Sequence, residues 1–243
     1  MKNRPLQHNN QLIPYEIHHK PTVTRRIHLR AGPDGALMVI APKRMSKRAI
    51  HKTLQERAHQ VARFLADALR KQQELPRLDY VNGEEHLYLG ESLPLEILSG
   101  AGRCSTACVS GGRIQIFTAD RSSENIKKTL IAWYRQAAGQ HFSERMETMG
   151  KNADWIGGKA PAMRLRKMKR TWGSCSDRGV ITLNPRLIKA PPACIDYVIA
   201  HELCHLQEMN HGKAFYALQE QLYPQWQDAK ARLQALAHVY LQE

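Results

Sequence analysis

Within the run CIDYVIAHELCHLQEM, His201, Glu202 and His205 interrupt a stretch dominated by Ile195, Val198, Ile199, Leu203 and Leu206. The apolar spacing predicts a helix from about Ala193 to about Met209. At about 100° per residue, side chains four apart leave the same helix face one turn apart. Both imidazoles therefore project together, and two neutral ring nitrogens at that spacing can reach one tetrahedral zinc ion. Glu202 is rotated by about 100° from His201. That places it beside the metal, where a carboxylate can take a proton from a metal-activated water. Two imidazoles and a carboxylate are costly to bury in so apolar a helix without a partner, which favours a metal site over core histidines.

A catalytic zinc site usually keeps three protein ligands and one open position. His211 is the candidate third ligand. On a straight helix it would lie some 120° off the face carrying His205, so the helix must end and the chain turn back. Asn210 and Gly212 suit such a reversal, because both residue types tolerate a left-handed backbone at a helix C-terminus. Glu208, three residues past His205 and on roughly the same face, competes for the third position, as does Glu220. Asp196 is a candidate N-terminal helix carboxylate. Tyr216 and Tyr223 are candidate oxyanion donors, with core packing the plainer reading of both.

The rest of the chain predicts a mixed architecture. Residues 14–31 read as two short strands broken at Pro21, and GPDG at 32–35 turns the chain into a strand at 36–42. Ser46 caps a predicted helix reaching about Lys71. Strands follow over 78–98 and 103–118, with turns at Asn82-Gly83 and Gly111-Gly112. From Ser122 or Ser123 a helix runs to about Met149, with Ile126, Leu130, Trp133, Ala137, Phe142 and Met146 on one face. Residues 164–172 suit a strand or extended arm and 179–183 a strand, while 213–222 and 225–241 are helical on either side of Pro224. The fold class is α+β. A small N-terminal β-rich unit, residues 1–120 with one helix, precedes a catalytic region, residues 121–243.

Charge and cysteine content narrow the setting. Residues 1–75 hold 15 basic and 5 acidic residues, and residues 151–190 hold 10 and 2, so the net charge of +14 comes from two blocks. Such asymmetry favours an anionic partner, nucleic acid or nucleotide, in weak contact through the basic segments such as Arg164–Arg170. Five cysteines, an odd number, cannot all pair, which indicates a reducing, cytoplasmic compartment. No apolar run approaches the ~18 residues of a membrane span, and the N-terminus has no apolar core of a secretory signal.

The block RKMKRTWGSCSDRGVITLNPRLIKAPPACIDYVIAHELCHL, followed by NHGKAF, resembles the YgjP-like metallopeptidase family, which is related to the SprT-like and WLM zinc peptidases. RRIHLRAGPDGALMVIAP and YLGESLPLEI resemble that family's N-terminal strands, so the likeness spans about residues 15–240. It implies a zincin-like core with the HExxH helix under a short sheet, zinc held by His201, His205 and His211, and Glu202 as general base. Trp172–Ser176 resembles the strand before the active-site helix, which could pair with an extended peptide; a core tryptophan followed by a bulge is the equal alternative. The expected activity is zinc-dependent hydrolysis of peptide or protein. The alternatives are a metal-dependent nucleotide pyrophosphohydrolase and a nucleic-acid-associated module with a structural metal.

Overall fold

The computed structural model describes residues 5–9, 11–20, 26–32, 36–73, 78–100, 104–157, 161–169 and 171–241. The expected break at Pro21 and most of the GPDG turn lie outside these residues. The chain divides into two compact units, residues 1–76 and residues 77–243.

In the first unit, β1 (Leu6–His8) and β2 (Gln11–Ile13) form an antiparallel pair. The strands β3 (Tyr15–Lys20), β4 (His28–Ala31) and β5 (Leu37–Pro42) make a second sheet with β5 in the middle, parallel to β3 and antiparallel to β4. A central position explains why β5 reads as an unbroken apolar run: it is buried on both faces. Ser46 caps α1 (Lys47–Glu56) by accepting from the Ala49 N–H at 3.2 Å. The single helix expected here is two, because Arg57 leaves helical geometry (φ −115°, ψ 24°) before α2 (Ala58–Gln73). Leu6, Leu37, Val39, Ile50, Leu54 and Val61 close this unit's own core.

The second unit opens with β6 (Glu85–Tyr88), β7 (Glu91–Ser99), β8 (Thr106–Ser110) and β9 (Arg113–Thr118), ordered β6-β7-β9-β8. The sequence division at 120/121 groups these strands with the N-terminal region. Their core residues Leu93, Leu95, Ile114 and Ile116 instead join Ile126 and Leu130 of α3 (Ser123–Gly150) in one cluster. α3 starts at a Ser122 cap and runs for 28 residues. Its fully buried stripe is Ile126, Leu130, Tyr134, Ala138, Phe142 and Met146, with Trp133 and Ala137 at its margin. A strict four-residue spacing drifts round a helix of 3.6 residues per turn, so the stripe winds and meets different partners along its length.

Three short strands, β10 (Met163–Leu165), β11 (Gly173–Cys175) and β12 (Ile181–Leu183), form a sheet with β12 central. The expected arm over 164–172 is thus a strand only to Leu165. A 3-10 turn, Pro185–Lys189, is capped by Asn184 and leads into α4 (Pro192–Cys204), which has a proline at its first position. α5 (Lys213–Leu222), α6 (Trp226–Ala235) and α7 (Ala237–Tyr240) complete the chain. No described helix is long and apolar enough to cross a membrane.

Candidate metal centre

α4 ends earlier than its apolar pattern predicts, at Cys204 rather than near Met209. The last turn tightens: the Leu206 and Gln207 N–H groups bond three residues back, to Leu203 and Cys204 carbonyls. Trp155 Nε1 donates to the Leu203 carbonyl at 3.0 Å, occupying one of the acceptors a helix end leaves over. The chain then doubles back within a few residues, and His211 returns over the helix end.

The result brings His201, His205 and His211 together, with one ligand nitrogen from each lying within 4.8 Å of the others. Among the described residues these form the one cluster of three or more such groups. His201 Nε2 and His211 Nε2 are 3.0 Å apart. Two nitrogens bound at about 2.0–2.1 Å to a tetrahedral zinc would lie roughly 3.3 Å apart, so the spacing fits. Phe215, fully buried, packs against all three rings at centroid distances of 4.9, 4.7 and 4.6 Å.

The far side of each helix histidine is also fixed. His205 Nδ1 lies 3.0 Å from the Glu208 carbonyl oxygen, which can only accept, so Nδ1 carries the proton. His201 Nδ1 lies 3.0 Å from Oε1 of the buried Gln219 on α5. In both rings the lone pair then sits on Nε2, the tautomer a metal ligand needs. Burial drives the His201 pKa down to about 4, and the neighbouring His205 and His211 push the same way. Burial likewise lowers that of His205. Neutral imidazoles are the metal-binding form.

Glu202 leaves the helix about 100° round from His201, and its side chain lies against Gly173 of β11. It is 4% exposed, and its Oε2 has no hydrogen-bond partner among the described residues. Burial raises its carboxyl pKa to about 8; a nearby dication would favour the carboxylate again. Gly173 belongs to an edge strand. The Trp172 carbonyl and the Ser176 N–H both bond across to the β12 side. By the alternation of an antiparallel ladder, Gly173 and Cys175 therefore turn their N–H and C=O groups to the open edge.

The other sequence candidates fall elsewhere. Glu208 contributes its backbone carbonyl to His205, and its carboxylate is outside the cluster. The Glu220 carboxylate accepts from Trp226 Nε1 at 2.6 Å. Asp196 makes a two-pronged ion pair with Arg145 of α3, at 2.7 and 2.8 Å, and so ties α4 to its neighbour. Tyr216 stacks on Trp226, with its ring 6.4 Å from that of His211, and burial raises the Tyr223 pKa. Burial also raises the thiol pKa of Cys175, with Glu202 adding to it, so that thiol is no ready nucleophile. Three neighbours went unread in the sequence: Gln219, Phe215 and Tyr197, whose ring lies 5.9 Å from that of His201. Tyr197 had a usable signal, since it stands four residues before His201 on the same face.

A donor set of this kind could hold a metal ion. A family model described as "YgjP-like, metallopeptidase domain" matches residues 25–236, and the chain belongs to that family. Membership implies a divalent metal and a peptide or protein substrate. Among solved structures the chain is similar to the metallopeptidase zymogen of Pyrococcus abyssi abylysin, at 24% identity over 40% of this chain and 95% of that one, with a TM-score of 0.35. No curated protein matches it.

Proposed function

We propose that the protein is a zinc-dependent peptidase in which His201, His205 and His211 hold the metal and Glu202 is the general base. The observation that carries this is the packing of the buried Glu202, the residue after His201 in the chain, against the open edge strand β11 at Gly173. When bound, zinc supplies Lewis acidity, polarising the scissile carbonyl and making water acidic near neutral pH. An extended peptide laid along β11 bonds to the free N–H and C=O groups of Gly173 and Cys175. Glu202 accepts the proton of the attacking water and returns it to the leaving amine. The zincin-like placement, with α4 beneath the short sheet, is part of the same reading. A nucleotide pyrophosphate offers no backbone to pair with that edge, which favours peptide over the pyrophosphohydrolase reading. Weak contact of the basic segments with nucleic acid is a separate proposal, checked by a binding signal that falls as salt rises. The five free cysteines suit a reducing, cytoplasmic setting.

Elemental analysis and peptide hydrolysis on three variants test the assignment. Glu202→Gln keeps its zinc and loses about 10²–10⁴ in turnover, the range for a general base. His205→Ala loses most of the metal. His211→Ala binds zinc more weakly with the fold intact. Glu202→Gln losing zinc as fully as His205→Ala would make Glu202 a ligand. Unchanged metal and activity in His211→Ala would remove it from the site.

A further inference from the structure

We infer that the groove between β8 and one face of α3 is a ligand site for a primary alkylammonium group. The groove holds about 400 Å³, inside the range of ligand pockets, roughly 300–1,000 Å³. α3 supplies most of its wall. Trp133, Gln136, Gln140 and Glu144 recur every three or four residues, so they share one helix face. Tyr88, which ends β6, and residues 107–109 of β8 line the groove as well.

Three features of the wall select a cation that carries N–H groups. The first is charge. The chain has a net charge of +14, yet none of the described lining residues is Lys or Arg, and Glu144 is the one acid among them. Its carboxylate accepts from Gln140 Nε2 at 3.4 Å, and among the described residues no Lys or Arg pairs with it. The second is the aromatic pair. Tyr88 and Trp133 both line the groove, their rings tilted at 42° with centroids 5.0 Å apart. Aromatic faces attract ammonium groups. The third is His141 in the same wall, whose Nε2 is buried with no hydrogen-bond partner among the described residues. Burial lowers the His141 pKa, so the ring is neutral. With its proton on Nδ1, the ring offers Nε2 as an acceptor, and a ligand N–H recovers the cost of leaving that atom unpaired. A primary ammonium brings three donors, enough for Glu144, His141 and the Gln136 amide oxygen. A quaternary ammonium would satisfy the rings alone. None of His201, Glu202, His205 and His211 lines this groove, so the proposal does not depend on the peptidase reading.

Calorimetric titration with n-pentylamine tests it, with 1-pentanol as the neutral counterpart and tetramethylammonium as a cation without N–H donors. Because amines also bind zinc, His205→Ala is titrated in parallel. Pentylammonium binds saturably and at least about tenfold more tightly than either comparison ligand. Glu144→Gln and Trp133→Leu each weaken it by about tenfold or more. His205→Ala leaves the affinity unchanged, and circular dichroism verifies that all three variants fold. A second titration sets 1,5-diaminopentane against N-acetyl-lysine methylamide. Tighter binding of the diamine marks a free amine as the natural ligand, and tighter binding of the lysine derivative marks a lysine side chain. No saturable binding of pentylammonium, equal binding of 1-pentanol or tetramethylammonium, parental affinity in either folded groove variant, or loss of binding in His205→Ala would each overturn the site.

Discussion

Gly173 leaves no room for a side chain. A Cβ there would lie 2.7 Å from Glu202 Cγ and 2.8 Å from its Cδ, closer than carbon atoms pack. The backbone is ordinary β-strand, so the residue is needed for space and not for conformational freedom. Gly173→Ala must push the Glu202 carboxyl aside. The expected outcome is a variant with parental zinc content, turnover at least about tenfold lower, and a stability loss of about 1–3 kcal/mol from overpacking. Metal analysis, peptide turnover and a thermal melt check the three parts, and parental turnover would show that the placement of Glu202 is unimportant. The contrast with the histidines shows what a sequence can and cannot display. His201 and His205 are legible because one helical turn relates them, a local rule. The tie between Gly173 and Glu202 joins positions on separate elements. It exists only once β11 is laid against α4, so in the sequence Gly173 reads equally as a bulge or as part of a peptide-pairing strand, with no tie to Glu202.

At the scale of elements, α5 completes what α4 begins. Phe215 and Gln219 are four apart and share one face; the first supports the three imidazoles and the second holds the His201 ring by its Nδ1. Outer partners of this kind are typically worth 10–100-fold in metal affinity. Gln219→Leu keeps the volume and removes the acceptor, so zinc affinity, measured by competition with a chelator, falls within about that range while secondary structure is retained. Equal affinity in the variant would mean that the contact does not orient His201. The helical character of 213–222 was plain from periodicity. Its register against α4 was not, because a buried glutamine reads as surface until its partner is known. The end of α4 was misjudged for a related reason. Leu206 and Met209 continue the apolar pattern, while the bonds that end the helix, from Trp155 and within the 203–208 turns, are tertiary or conformational.

At the scale of the whole chain, each unit closes a core from its own residues. Leu6, Val39, Ile50 and Val61 serve residues 1–76, and Leu95, Ile116, Phe142, Ile195 and Leu203 serve residues 77–243. Composition suggests the β-rich stretch ends near 118, where the long helix is about to begin, and a boundary drawn there follows element type. Packing follows a different logic. β6 to β9 offer an apolar face, and α3 winds its buried stripe onto it, so the sheet belongs with the helix that covers it. The three histidines, Glu202, Gly173, Gln219 and Phe215 all lie beyond residue 76. A chain of residues 77–243 should therefore fold alone, melt in one cooperative transition and bind zinc with the affinity of the full protein. Calorimetry and chelator competition on that fragment check the prediction. A fragment with no cooperative transition would show that the first unit is required for the second to fold. A folded fragment with weakened zinc binding would place part of the centre's support in residues 1–76.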